Sequence, residues 1–82
     1  MNYKLIIEKP AQKFIAKQPK PQQKRIFKAL KYLPGQGDIK PLQGSKNLFR
    51  LRVGSYRIIY TVENEIFTIL VLEAGNRGDI YK

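Results

Sequence analysis

The order of the sequence patterns predicts an α+β domain in which two N-terminal helices pack on one face of a small antiparallel β-sheet. Residues 10–33 have helical periodicity interrupted by prolines, Gly54-Ser55 separates two alternating runs, and residues 65–72 form a nearly continuous apolar run. Helices grouped together, followed by strands in a meander, are typical of a two-layer α+β domain. The predicted order is therefore β-α-α-β-β-β, and a short final strand is possible at residues 79–82.

The N-terminal part of the chain carries the predicted first strand and both helices. Residues 2–8 alternate between apolar and polar side chains, which predicts a strand. Pro10 fits the first turn of a helix that ends before Pro19, and Pro21 opens a second helix that ends before Pro34. Basic residues surround an apolar stripe on the second helix. The stripe comprises Ile26, Phe27, Leu30 and Leu33.

Residues 49–60 are the most informative stretch, because they predict a hairpin with a polar and an apolar face. A Gly-Ser dipeptide between alternating runs is typical of a tight turn, and it places Arg52 opposite Arg57. The apolar face carries Phe49, Leu51, Val53, Tyr56, Ile58 and Tyr60, whereas the other face carries Arg50, Arg52 and Arg57. Like charges directly across a hairpin are destabilising, so this cluster indicates a bound polyanion such as phosphate. The alternative is a solvated basic face without a ligand.

Two segments beside the hairpin complete the predicted domain. Residues 34–46 are rich in proline and glycine, which predicts a loop. The run at residues 65–72 predicts a central strand that pairs with the second strand of the hairpin and ends at Gly75. The expected pairs are Phe67 with Tyr60, Ile69 with Ile58 and Val71 with Tyr56.

Length, charge and composition restrict the classes of function. The chain has 82 residues, a formal net charge of +10 and no cysteine or histidine. Such a charge predicts an acidic partner, which is nucleic acid or an acidic protein rather than a membrane. Without cysteine and histidine there is no thiolate zinc site and no Ser-His or Cys-His triad, and we expect no metal and no cofactor. No segment reads as a signal peptide or a membrane span, so we expect a cytoplasmic location.

Three motifs resemble the RelE/ParE superfamily of bacterial and archaeal toxins, and in particular its RelE branch. They are Leu42-Gln43-Gly44, the hairpin at residues 48–60, and Gly75-Asn76-Arg77-Gly78-Asp79-Ile80-Tyr81. The resemblance covers essentially the whole chain and implies a single RelE-like domain at residues 1–82. Members of the RelE branch cleave messenger RNA in the ribosomal A site, and each is held inactive by an antitoxin encoded beside it.

The resemblance also implies which side chains carry the chemistry. The implied catalytic residues are Arg50, Arg52, Arg57, Arg77 and Tyr81. Arg57 matches the family's Tyr-Arg motif, and Arg77 and Tyr81 match an arginine and a tyrosine near the C-terminus. Many relatives carry histidine at the position of Asn76, and some have a glutamate base that has no equivalent in this sequence. These two departures affect the assignment of a general base.

In the implied reaction, the ribose 2'-hydroxyl attacks the adjacent phosphorus and leaves a 2',3'-cyclic phosphate. Cations aimed at the developing charge are the main contribution such a site makes. We expect Arg57, flanked by Arg52 and Arg77, to bind the scissile phosphate and Arg50 to bind a neighbouring one. Tyr81 is the candidate for proton transfer, because nearby cations lower the pKa of a phenol. Its alternative role is to stack on a base or to fill the core.

The resemblance further implies the partners. A cognate antitoxin with an acidic or amphipathic segment is expected, in a hetero-oligomer that binds operator DNA through the antitoxin, and no membrane partner is expected. Ribosomal RNA is expected to contact a diffuse basic surface. This surface comprises Lys24, Arg25, Lys28, Lys31 and Lys46. Two other interpretations stay open: a ParE-type toxin that inhibits DNA gyrase without cleaving RNA, and an RNA-binding module without activity.

Overall fold

The computed structural model describes residues 3–33, 35, 37–42 and 47–76 of the chain. The elements in chain order are β1 (Lys4–Ile7), α1 (Lys9–Ala16), α2 (Lys20–Lys31), β2 (Asp38–Pro41), β3 (Leu48–Val53), β4 (Tyr56–Glu63) and β5 (Thr68–Asn76), with a 3-10 turn (Asn64–Ile66) before β5. The predicted α+β class, with both helices packed on one sheet, is confirmed. The possible final strand at residues 79–82 lies outside the described residues.

The sheet has five strands in the order β1-β5-β4-β3-β2. Strands β3, β4 and β5 pair antiparallel as predicted, and β2 adds an antiparallel pair with β3 that was not predicted. Strand β1 runs parallel to β5, so the sheet is mixed. Alternation along a strand indicates which side chains share a face, and it carries no information on the partner strand or its direction. Strands β1 and β5 are the first and the last elements of the described chain. Their pairing could therefore not be predicted from the alternation of side chains.

The hairpin of β3 and β4 has the predicted register throughout. Arg52 pairs with Arg57, Val53 with Tyr56 and Phe49 with Tyr60. Gly54 has a φ of 60°, and Ser55 is not among the residues with positive φ, as in the two-residue turns that require glycine at the first position. A turn of two residues fixes which residues face each other, so the local sequence was sufficient for this register.

Strand β2 corrects the prediction that residues 34–46 form only a loop. Asp38 and Lys40 alternate with the half-buried Ile39, and the strand pairs with β3 at the edge of the sheet. Pro41 has no N–H group to donate, which is tolerated on an edge strand but argues against a strand when only the sequence is considered. The strand was missed because it is short and follows glycines and prolines.

The predicted register between β4 and β5 is wrong, as is the prediction that Gly75 ends the strand. The observed pairs are Val71 with Tyr60, Ala74 with Ile58 and Asn76 with Tyr56, and Gly75 pairs with Arg57 inside the strand. The turn is longer than expected, because residues 64–66 form a 3-10 turn and Phe67, 44% exposed, adopts a left-handed conformation with φ of 47°. A bulge near Ile59 and Tyr60 shifts the pairing further.

The core lies between the helices and the inner face of the sheet. Its buried side chains are Ala11, Ile15, Ile26 and Leu30 from the helices and Leu51, Ile58, Tyr60, Ile69 and Val71 from the strands. Phe27, expected in the apolar stripe of α2, is instead 40% exposed. Tyr56 and Tyr60 lie in the core as predicted, where Tyr60 stacks on Phe49 and burial raises the pKa of the Tyr60 phenol. Neither of the described helices is long and apolar enough to cross a membrane.

Candidate functional site

The outer face of the sheet, opposite the helices, carries two rows of side chains that cross β2, β3, β4 and β5. The first row comprises Lys40, Arg50, Ile59 and Glu73, and the second row comprises Asp38, Arg52, Arg57 and Gly75. Neighbouring strands lie about 4.8 Å apart, so long side chains in adjacent positions reach a common group above the sheet. Arg50, Arg52 and Arg57 therefore form one surface, the arginine face, as the hairpin pattern predicted.

Arg50 is the buried member of the arginine face, with only 8% of its surface exposed. Its Nη2 atom donates a hydrogen bond to Asp38 Oδ1 at 3.4 Å, and this pair is an ion pair between β3 and β2. Its Nε atom is buried and has no hydrogen-bond partner among the described residues. A buried guanidinium is costly without hydrogen bonds, so Asp38 stabilises Arg50 in a defined position.

Arg52 and Arg57 provide the more accessible charge. Arg52 is exposed and Arg57 is half-buried, and the two residues lie directly across the hairpin from each other. On its other side Arg57 faces Gly75, which contributes no side chain. The planar guanidinium matches the geometry of phosphate oxygens, so this pair of arginines is suited to hold one phosphate group.

Three charged residues of the outer face were missed by the sequence analysis. Lys40 lies opposite Arg50, and Asp38 lies opposite Arg52, because both belong to the strand that was predicted as a loop. Glu73 lies opposite Ile59 on β5 and is diagonal to Arg57, within reach of a long side chain. The alternation of Asp38 and Lys40 with an apolar residue was the signal that could have revealed the first two.

The remaining predicted site residues divide into two groups. Arg77, Tyr81 and Lys46 lie outside the described residues, so their roles remain predictions. The other four predicted RNA-binding residues are exposed on α2, and they are Lys24, Arg25, Lys28 and Lys31.

A cavity of about 440 Å³ is lined by two of these four residues and not by the other two. Arg25 and Lys28 line it together with Arg52 and Tyr32, whereas Lys24 and Lys31 do not. Its apolar side includes Leu51 and Val53. The cavity therefore lies between α2 and β3, at the end of the sheet where the hairpin turns.

Comparisons with known proteins identify the family and the fold of the chain. Residues 5–81 match the family described as ParE toxin of type II toxin-antitoxin system, parDE. The chain is similar to RelE in the archaeal RelE-RelB complex from Pyrococcus horikoshii OT3, with 31% identity, a TM-score of 0.79, and coverage of 96% of this chain and 99% of that chain.

Two further structures have the same fold. For the RelB-RelE antitoxin-toxin complex from Methanococcus jannaschii, the identity is 29% and the TM-score 0.76, over 93% of this chain and 94% of that chain. For the isolated E. coli RelE toxin, the identity is 22% and the TM-score 0.76, over 96% of this chain and 90% of that chain. No curated protein sequence matches the chain.

Proposed function

Because this chain belongs to the ParE toxin family of type II toxin-antitoxin systems, within the RelE/ParE superfamily, we propose that it is a RelE-type endoribonuclease that cleaves messenger RNA on the ribosome. The observation that carries the proposal is the arginine face, where Arg52 lies opposite Arg57 and beside Arg50. The 31% identity to an archaeal RelE over 96% of the chain favours the RelE branch.

The proposed reaction is an in-line phosphoryl transfer within the RNA strand. The ribose 2'-hydroxyl loses its proton and forms a bond to the adjacent phosphorus, while the bond from phosphorus to the 5'-oxygen breaks and that oxygen takes up a proton. The products are a 2',3'-cyclic phosphate and a free 5'-hydroxyl. Negative charge grows on the phosphoryl oxygens, and preorganised guanidinium groups stabilise it. Arg57 and Arg52 hold the scissile phosphate, and Arg50 holds a neighbouring phosphate.

Two residues are candidates to accept the proton of the 2'-hydroxyl. The first is Tyr81, which the proposal assigns to the scissile phosphate together with Arg77 as a further cation. The second is Glu73, since Asp38, the other carboxylate among the described residues of the two rows, already pairs with Arg50. The variants Glu73→Gln and Tyr81→Phe distinguish them, because only loss of the group that accepts the proton lowers the rate of cleavage.

The ribosome would supply the orientation that the protein alone lacks. A site built from arginines stabilises charge but contributes little general-base catalysis, so the alignment of the 2'-hydroxyl with the phosphorus has a large effect on the rate. The exposed basic residues of α2 provide a salt-sensitive contact to ribosomal RNA. We therefore expect slow cleavage of isolated RNA and fast cleavage of ribosome-bound messenger RNA.

A cognate antitoxin would control this activity. The solved relatives include RelE bound to RelB, and the net charge of +10 suits a partner with an acidic segment. Such a segment would cover the arginine face and exclude RNA, and the hetero-oligomer would bind operator DNA through the antitoxin. Action on ribosomes also assigns the protein to the cytoplasm.

The second candidate function is inhibition of DNA gyrase by protein contact, as for a ParE-type toxin. It is favoured by the family match, which covers residues 5–81 and is described for ParE. If the protein inhibits gyrase in this way, the arginine face need not bind a phosphodiester. A supercoiling assay with purified gyrase separates the two functions, since the nuclease leaves supercoiling unchanged.

The test of the proposed nuclease is the substitution Arg57→Ala. Removal of one preorganised donor to a transition-state oxyanion typically lowers the rate about 100-fold or more, so cleavage on programmed ribosomes, mapped by primer extension, should be almost abolished. Arg57→Lys keeps the charge without the planar fork and should lie between the two. Lys13→Ala, on the exposed surface of α1, should cut like the wild type. Undiminished cleavage by a folded Arg57→Ala protein would refute the assignment.

A further inference from the structure

The cavity between α2 and β3 has a composition that the proposed reaction does not use. Its volume of about 440 Å³ lies within the usual range for small-ligand sites, which is about 300–1,000 Å³. Two of its lining residues are cations of α2, and no carboxylate is among the described residues that line it. They are Arg25 and Lys28, and Arg52 of β3 also lines the cavity but carries its side chain on the outer face of the sheet.

The aromatic wall of the cavity is Tyr32, which directly follows α2 and is 54% exposed. An exposed aromatic ring beside cations is a surface on which a nucleobase stacks while its phosphate is neutralised. The apolar side chains of Leu51 and Val53 complete the wall from the strand. A nucleobase with its phosphate would contact the aromatic ring, the apolar side chains and the cations. An inorganic anion would contact only the cations.

Arg25 is held in position at the edge of the cavity. Its Nη1 atom donates a hydrogen bond to Gln22 Oε1 at 3.3 Å, and its Nη2 atom would lie 3.3 Å from a Cβ placed on Gly54. The guanidinium therefore lies directly on the hairpin turn, where glycine leaves room for it. Prior positioning of a long side chain lowers the entropy that binding must remove.

The cavity and the arginine face lie on opposite sides of β3, because Leu51 and Val53 line the cavity and face the core, whereas Arg52 pairs with Arg57 on the outer face. We propose that the cavity is a nucleotide subsite, which binds one nucleotide of an RNA strand with its base on Tyr32 and its phosphate near Arg25 and Lys28. This inference rests on the proposed function for the identity of the RNA strand. It turns two residues of a diffuse basic surface into a defined binding site.

The first test measures binding of a short RNA whose attacking 2'-hydroxyl is replaced by hydrogen, so that it cannot be cleaved. Tyr32→Ala should weaken its binding about tenfold, measured by fluorescence anisotropy at low salt, and Tyr32→Phe should bind like the wild type. A sugar-phosphate strand of the same length without bases should bind to the wild type and to Tyr32→Ala equally. Equal affinities of both proteins for the intact RNA would overturn the subsite.

The second test uses charge-matched variants of α2. Arg25→Ala and Lys28→Ala should each lower the salt dependence of single-strand binding, and the slope should change by about 0.7 for each phosphate that the variant no longer neutralises. Lys24→Ala and Lys31→Ala remove the same charge from the same helix but lie outside the cavity, and they should have a smaller effect. Equal effects of all four variants would show a diffuse surface and overturn the subsite.

The two proposals fail in distinguishable ways. If the wild type binds the RNA and Tyr32→Ala weakens binding, but ribosome-bound messenger RNA is never cut, the nuclease proposal falls and the subsite stands. If the wild type cuts and Tyr32→Ala binds and cuts like the wild type, only the subsite falls. Thermal melting of each variant by circular dichroism verifies that it is folded, which is expected for Tyr32→Ala because more than half of the side chain is exposed.

Discussion

Asp38 partly neutralises the arginine face, so Asp38→Asn should weaken the fold and strengthen RNA binding at the same time. The carboxylate accepts a hydrogen bond from Arg50 at 3.4 Å, and the two side chains are 57% and 10% exposed, respectively. Exposed ion pairs contribute about 0.2–1 kcal/mol, whereas the loss of one partner of a buried pair costs about 3–5 kcal/mol. Since one partner is exposed and the other buried, we expect a loss of about 1–2 kcal/mol.

The same substitution acts on RNA binding in the opposite direction. It raises the net charge from +10 to +11, because one carboxylate is lost, and it releases the Nη2 atom of Arg50 for a phosphate. An energy of about 0.2–1 kcal/mol for the released charge corresponds to RNA binding about 1.4- to 5-fold tighter at low salt. The gain should decrease as salt screens the charges.

Two measurements and one control variant test the role of this ion pair. Thermal unfolding by circular dichroism should show a melting temperature about 4–16 °C lower, as is typical of a loss of about 1–2 kcal/mol in a domain of this size. Fluorescence anisotropy with the uncleavable RNA gives the affinity. Glu63→Gln removes the same charge from the end of β4, where the side chain is exposed. If Asp38→Asn and Glu63→Gln behave alike in both measurements, the ion pair does not hold Arg50.

Three further predictions concern stability. Gly37→Ala should lower the urea midpoint, because φ at this residue is +128° and the new Cβ would lie 2.7 Å from Leu51 Cδ1. As a control, a Cβ at Gly35 meets nothing within 4 Å, so Gly35→Ala should leave the urea midpoint unchanged. Ile58→Val should cost about 0.5–1.5 kcal/mol in urea unfolding, since Ile58 is fully buried; no change would mean that this part of the core is loosely packed. Burial raises the pKa of Tyr60 above its ordinary value of 10.0, so its contribution to stability is complete below that pH and is lost as the pH rises past the folded-state pKa. Tyr60→Phe should therefore lose less stability than the wild type in alkaline urea titrations, and identical losses would contradict the assignment.

One part of the outer face could be predicted from the local sequence, and another part could not. Arg52 and Arg57 flank a turn of two residues, so the chain has only one short way to pair them, and the prediction was correct. Glu73 joins the same face through a longer turn that contains Phe67 in a left-handed conformation, and through a bulge. Neither feature has a strong sequence signal, and the register between β4 and β5 was therefore predicted wrongly.

The cavity depends entirely on contacts between segments that are distant in the chain. Helical periodicity places Arg25 and Lys28 on the polar side of α2, but it does not show that β3 passes beside them. Lys24 and Lys31 look equivalent to them in the sequence. Only the packing of α2 on the sheet divides these four basic residues into two that line the cavity and two that do not.

The amino-acid sequence by itself determined the α+β class, the hairpin and the clustering of three arginines, because periodicity and a tight turn act over a few residues. The tertiary structure decided that Asp38 and Lys40 join this cluster, that β1 runs parallel to β5, and that Tyr32 and Arg25 lie near Arg52. The physical reason is the range of each interaction. Side-chain alternation and turn geometry are local, whereas strand order and helix docking depend on the burial of apolar surface over the whole chain.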